Sequence, residues 1–120
     1  NYGKLDIYGG NFIGTSNGTS CIFVMTSRTS GSKATVNIYG GTFRTKTPNY
    51  DGTYYVLNHQ DSATTGCTII VHGGKFYNYN PGVTTVDPVN AYTGKISLDD
   101  GCTTAETTEG SNTIYTVTKN

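Results

Sequence analysis

The chain has 120 residues, eight basic and eight acidic, giving a formal net charge of zero and an isoelectric point near 6.9. Its 22 Thr, 16 Gly, 11 Asn and 8 Ser make up nearly half of it, apolar residues reach only 34%, and charged residues are 13%, about half the usual share. Ten Tyr and four Phe argue against disorder, scarce Ala, Leu, Glu, Met and Gln against a helical bundle, and electroneutrality against a nucleic-acid binder, leaving one all-β domain.

The first predicted strand, Lys4-Leu5-Asp6-Ile7-Tyr8, runs into a Gly9-Gly10 bend and re-emerges as Asn11-Phe12. A polar loop follows, with a formal glycosylation sequon at Asn17-Gly18-Thr19 and a cysteine at Cys21, and leads to an apolar run, Ile22-Phe23-Val24-Met25. After the turn at Thr29-Ser30-Gly31-Ser32 the pattern begins again. Thr35-Val36-Asn37-Ile38-Tyr39-Gly40-Gly41-Thr42-Phe43 aligns with residues 4–12 without a gap, and Tyr54-Tyr55-Val56-Leu57 aligns with the apolar run. A third copy, Thr68-Ile69-Ile70-Val71-His72-Gly73-Gly74-Lys75-Phe76, follows the turn Ala63-Thr64-Thr65-Gly66. The periods are 31 and 33 residues, and the length changes fall in the Gly/Ser/Thr/Asn loops, as stacked layers require.

Within each copy Leu5/Ile7, Val36/Ile38 and Ile69/Val71 alternate with Asp6, Asn37 and Ile70, the period of a strand. The glycine pairs Gly9/Gly10, Gly40/Gly41 and Gly73/Gly74 mark corners, and Phe12, Phe43 and Phe76 re-enter after each corner as a stacked internal ladder. No helix pattern separates the strands, and a hairpin meander would need much shorter units. The expectation is an all-β right-handed parallel β-helix, a solenoid of about three coils (residues 4–34, 35–67 and 68–82), within a repeat region of residues 1–82. The remainder, residues 83–120, is expected to be a linker and an irregular C-terminal cap, with strands at Lys95-Ile96-Ser97-Leu98 and Thr113-Ile114-Tyr115-Thr116-Val117-Thr118. Between them Asp99-Asp100-Gly101 and Glu109-Gly110-Ser111-Asn112 are turn chemistry, fitting a hairpin with a long arm. No matching cap stands at the start of the chain, so its first coil is expected to meet further coils or another subunit.

The segments Ile38-Tyr39-Gly40-Gly41-Thr42-Phe43, Tyr55-Val56-Leu57-Asn58-His59-Gln60-Asp61-Ser62 and Val71-His72-Gly73-Gly74-Lys75-Phe76-Tyr77-Asn78-Tyr79-Asn80-Pro81 resemble right-handed β-helix repeats of the GGTF type. Such repeats occur in phage fibre-like and prophage proteins of gut bacteria, with related solenoids in surface adhesins and polysaccharide lyases. The resemblance spans about residues 4–82. It implies a structural or host-contacting module, often oligomeric, at an extracellular or virion surface, and brings no catalytic motif with it. One fold hosts many functions.

Candidate chemistry is sparse. A polysaccharide-processing enzyme would need clustered carboxylates, and Asp51 and Asp61, in loops of one coil, are the pair to consider beside the simpler reading of solvated, turn-capping acids. Asp99-Asp100 beside Gly101 reads as a turn rather than a calcium loop. Neither His59 nor His72 has a nucleophile or metal partner at a recognised spacing, so no catalytic residue, metal ligand or cofactor is assigned. Cys21, Cys67 and Cys102 have no metal spacing; they are either small buried hydrophobes or include one bridge, Cys67 with Cys102. Arg44, Lys46 and Lys75 do not make a phosphate track, and no run of about 18 apolar residues could insert into a membrane.

The sharper feature is a column. With coils about 4.8 Å apart, Tyr8, Tyr39 and His72 share one register position. Such a column can dock a surface glycan, contact another subunit, or simply steady the sheet. Tyr77, Tyr79 and Tyr92 are a second aromatic group flanking the cap, read as packing or as binding residues. The leading functional expectation is a non-enzymatic structural or adhesive module that self-associates, with a glycan-processing enzyme or a subunit of an open-ended filament as alternatives.

Overall fold

A computed structural model describes residues 2–14, 22–25, 33–45, 56–60, 68–82, 86–87, 91–92 and 96–120. The repeat shapes the first half. Strands β1 (Tyr2–Ile7), β4 (Lys33–Ile38) and β7 (Thr68–Val71) lie side by side and parallel, pairing Leu5 with Val36 and Val36 with Ile69. Beyond each bend, β2 (Asn11–Gly14), β5 (Thr42–Thr45) and β8 (Gly74–Tyr77) do the same, pairing Phe12 with Phe43 and Phe43 with Phe76. The apolar runs give β3 (Ile22–Met25) and β6 (Leu57–Gln60), a parallel pair. Parallel pairing needs long returns between strands, and the 31- and 33-residue spacing of the repeats leaves room for them.

The second half overturns the expected fold class. The chain is all-β, but it is not a single right-handed β-helix of about three coils with an irregular cap. It forms a wholly parallel four-stranded sheet, β1-β4-β7-β11, with β11 at Ile96–Leu98, and a mixed five-stranded sheet, β12-β13-β8-β5-β2. The mixed sheet is completed by a hairpin of β12 (Cys102–Glu109) and β13 (Asn112–Lys119), in which β13 runs antiparallel to β8. The physical reason lies after Phe76, where the repeat stops. Segments adjacent in sequence and joined by two residues can pair only antiparallel, and Gly110, at φ 61°, takes the left-handed value that a tight hairpin turn needs there. Short strands β9 (Val86–Asp87) and β10 (Ala91–Tyr92) form a further antiparallel pair.

The core is continuous across the repeats and the C-terminal strands. Ile7, Val36, Ile38, Phe43, Leu57, Ile69, Val71, Phe76, Tyr79, Ile96 and Val117 belong to one buried cluster. Its spine is the phenylalanine ladder, Phe12 on Phe43 and Phe43 on Phe76, with ring centroids 5.0 Å apart and nearly parallel planes. The bends are as tight as the glycine pairs suggest, for two different reasons. Gly41 and Gly74 have φ near 112°, which side chains avoid. At Gly40 a Cβ would stand 2.6 Å from the Tyr8 carbonyl oxygen, and at Gly73 2.3 Å from that of Tyr39, so adjacent layers touch backbone to backbone.

Candidate functional site: the outer face of the parallel sheet

The alternation that buries Val36, Ile69 and Ile96 turns the intervening residues to the other face of the same sheet. The parallel register continues past the strand ends. Tyr39 N donates to Ile7 O at 2.7 Å, His72 N to Ile38 O at 2.7 Å, and Asp99 N to Val71 O at 2.9 Å. Tyr8, Tyr39, His72 and Asp99 therefore occupy one row, four strands wide.

The first three members stack. Tyr8 and Tyr39 lie 4.9 Å apart at 8°, and Tyr39 and His72 4.3 Å apart at 15°. Tyr8 is 73% exposed and Tyr39 40%. Beside this column runs a chain of polar contacts. Asn37 Nδ2 donates to Asp6 Oδ1 at 3.0 Å, Asn37 Oδ1 lies 3.0 Å from His72 Nε2, and His72 Nδ1 lies 3.1 Å from Asp99 Oδ2. Lys4 flanks Asp6 at 3.4 Å, and Lys119 flanks Asp99 at 3.9 Å. Both nitrogens of His72 thus lie within hydrogen-bond distance of an oxygen. Asn37 is buried at 7% exposure, and both ends of its amide are satisfied, as a buried amide must be.

Next to the column, the bends line a groove of about 370 Å³ formed by Gly40, Gly41, Thr42, Gly74, Lys75 and Thr116. Three of its six lining residues are glycines of the bends.

The residues singled out from sequence separate into groups. Tyr8, Tyr39 and His72 come together as a column, Phe12, Phe43 and Phe76 form the internal ladder, and the six bend glycines sit at the corners. Tyr77 and Tyr79 do not join the column: Arg44 lies over the Tyr77 ring at 5.4 Å, and Tyr79 is buried at 8% exposure, tilted against Phe76 at 6.3 Å. Asp51, Asp61, Lys46, Cys21 and Cys67 lie outside the described residues, as do the side chains of His59 and Tyr92. Cys102 is a free thiol, its Sγ donating to the His72 carbonyl at 3.5 Å. Among the described residues no three His, Cys, Asp or Glu side chains gather in a cluster that could hold a metal ion, and no helix is long and apolar enough to cross a membrane.

The polar row escapes a reading based on the three-fold repeat alone, because Asp99 lies outside the repeat. The signal was there: Ile96-Ser97-Leu98-Asp99 has the same alternation as Ile69-Ile70-Val71-His72, 27 residues on, and the strands pair in that register. No protein-family model, curated protein or solved structure matches the chain.

Proposed function

We propose that the protein is a non-enzymatic structural or adhesive module of an extracellular or virion surface, and that it contacts surface glycans through the outer face of its parallel sheet. The observation that carries this reading is the exposed Tyr8–Tyr39 pair, held ring on ring at 4.9 Å before any contact is made. Large side chains fixed in advance lose little freedom on binding, and each tyrosine offers an apolar ring edge with a hydroxyl. Asp6, His72 and Asp99 add polar atoms along the same face, matching the alternating hydroxyls and CH groups of a sugar chain. The groove beside Gly40 and Gly41 gives such a chain room to lie along the row.

A non-catalytic role is supported by how the ionisable groups are occupied. The carboxylates of Asp6 and Asp99 and both nitrogens of His72 are engaged with one another, with Asn37 or with lysines. A general base needs a free site within hydrogen-bond reach of its proton donor.

The test is a glycan array followed by calorimetry on the oligosaccharides retained. The double variant Tyr8→Phe/Tyr39→Phe keeps the stack and removes both hydroxyls. It is expected to bind the retained sugars roughly tenfold more weakly, a difference of about 1.4 kcal/mol, with an unchanged melting temperature. An array that retains no oligosaccharide, or retention equal for the double variant, would contradict the reading.

A further inference from the structure

Gly9 is a glycine without a local reason. Its register equivalents are forced: a Cβ on Gly40 would meet the Tyr8 carbonyl and one on Gly73 the Tyr39 carbonyl, each contributed by the preceding layer. At Gly9 a Cβ would meet nothing within 4 Å, and Gly9 is not among the glycines with positive φ. The bend itself is already in its stacked shape, with Gly10 at φ 119° beside 112° and 113° for Gly41 and Gly74. The first layer is therefore built to receive a carbonyl that no described residue supplies.

Three further features point the same way. β1 and β2 are edge strands of their sheets. Each later layer accepts its predecessor through two amides, Tyr39 N and Thr42 N in the second, His72 N and Lys75 N in the third, bonding at 2.7–2.9 Å; the matching donors of the first are Tyr8 N and Asn11 N. Among the described residues, three of the four exposed large hydrophobics, Leu5, Tyr8 and Ile13, also stand in this layer. Lys4 and Asp6 project from the sheet face rather than its edge, so they do not guard it in the way edge charges commonly do.

We infer that the β1/β2 edge is a docking site for an extended polypeptide segment that carries the motif apolar-x-apolar-aromatic-Gly-Gly-x-Phe and adds to both sheets as a further parallel layer. Its aromatic carbonyl seats against Gly9, its aromatic ring extends the Tyr8 column, and its phenylalanine extends the Phe12 ladder. Main-chain bonds supply affinity and the alternate side chains supply register, as in other strand additions. A second copy of this chain fits less well. Two β1/β2 edges meeting symmetrically would run antiparallel and bring no carbonyl to Gly9. Head-to-tail stacking meets a step, since one strand (β11) lies beyond β7 but two (β13 and β12) lie beyond β8. This site meets the proposed glycan face at Tyr8, but its main-chain contacts to β1 and β2 do not depend on glycan binding and are tested without it.

The experiment is an NMR titration of the full, isotope-labelled chain with a synthetic peptide of residues 33–45, whose strands are free to pair. Saturable binding is expected, with shifts confined to β1 and β2 and slowed exchange of the Tyr8 and Asn11 amides. Gly9→Val is expected to keep the free protein's spectrum and melting temperature, because its side chain enters open space, yet to weaken the peptide at least tenfold. Gly9→Ala makes the same test should valine disturb the bend. No binding to the unaltered chain, or equal binding to the Gly9 variants, would overturn the inference. Concentration-dependent dimerisation that slows the same amides without peptide would also overturn it, by giving the edge to a second copy.

Discussion

Asn37 shows how one side chain can organise a surface. It occupies the middle of a row whose neighbours are Asp6 and Ile70, and it is buried even though it lies on the face away from the core. Its amide can serve a carboxylate at one end and an imidazole at the other, which neither an aspartate nor a leucine of similar size can do. Removing it leaves the part-buried Asp6 and His72 without a shared partner. Asn37→Ala is expected to lower unfolding stability by about 1–3 kcal/mol, measured by denaturant titration, and to loosen the His72 ring. A loss smaller than a few tenths of a kcal/mol would mean that water replaces the amide without penalty.

At the scale of elements, the repeat strands were legible because two signals agree in them: period-two alternation and a glycine pair at a fixed offset. From these the Leu5–Val36–Ile69 and Phe12–Phe43–Phe76 registers follow directly. β12 was not legible. Cys102-Thr103-Thr104-Ala105-Glu106-Thr107-Thr108-Glu109 lacks an apolar alternation, and most of it is exposed. It is a strand because threonine suits a pleated chain and because β13 offers it a full ladder of partners. The aromatic column was legible for the same reason as the core, being the next register position, whereas Tyr77 and Tyr79 follow the last glycine pair and obey local packing instead. The ladder's energetics should grade along it. Phe43 is fully buried between two rings, while Phe12 ends the stack and is half-buried. Phe43→Ala is expected to cost about 3–5 kcal/mol, and Phe12→Ala distinctly less, in the same denaturant experiment. Equal losses would show that the ladder does not end at Phe12.

The whole molecule has two unlike ends. On one, β1 and β2 finish flush, each the outermost strand of its sheet. On the other, β11 adds one strand to the parallel sheet while the hairpin adds two to the mixed sheet, and Glu106 and Glu109 stand exposed on it. This asymmetry explains why the repeat pattern misleads about the fold as a whole: three in-register copies suggest a uniform parallel winding, and the hairpin within the non-repeating residues 83–120 is what makes the second sheet mixed. The hairpin also covers an edge of β8 that would otherwise be left unpaired, burying Ile114 and Val117 as it does so.

The central claim, that parallel repeat layers are closed at one end by an antiparallel hairpin, can be tested by mapping backbone nuclear Overhauser effects on the labelled protein. Close Hα–Hα contacts are expected between β8 and β13, around Phe76 and Tyr115, and between β12 and β13. Between β4 and β7 only the amide-to-Hα contacts of a parallel pair are expected, in the register that sets Asn37 against Ile70. Parallel-type contacts between β8 and the segment Asn112–Lys119, or no contacts between them, would contradict the two-sheet architecture.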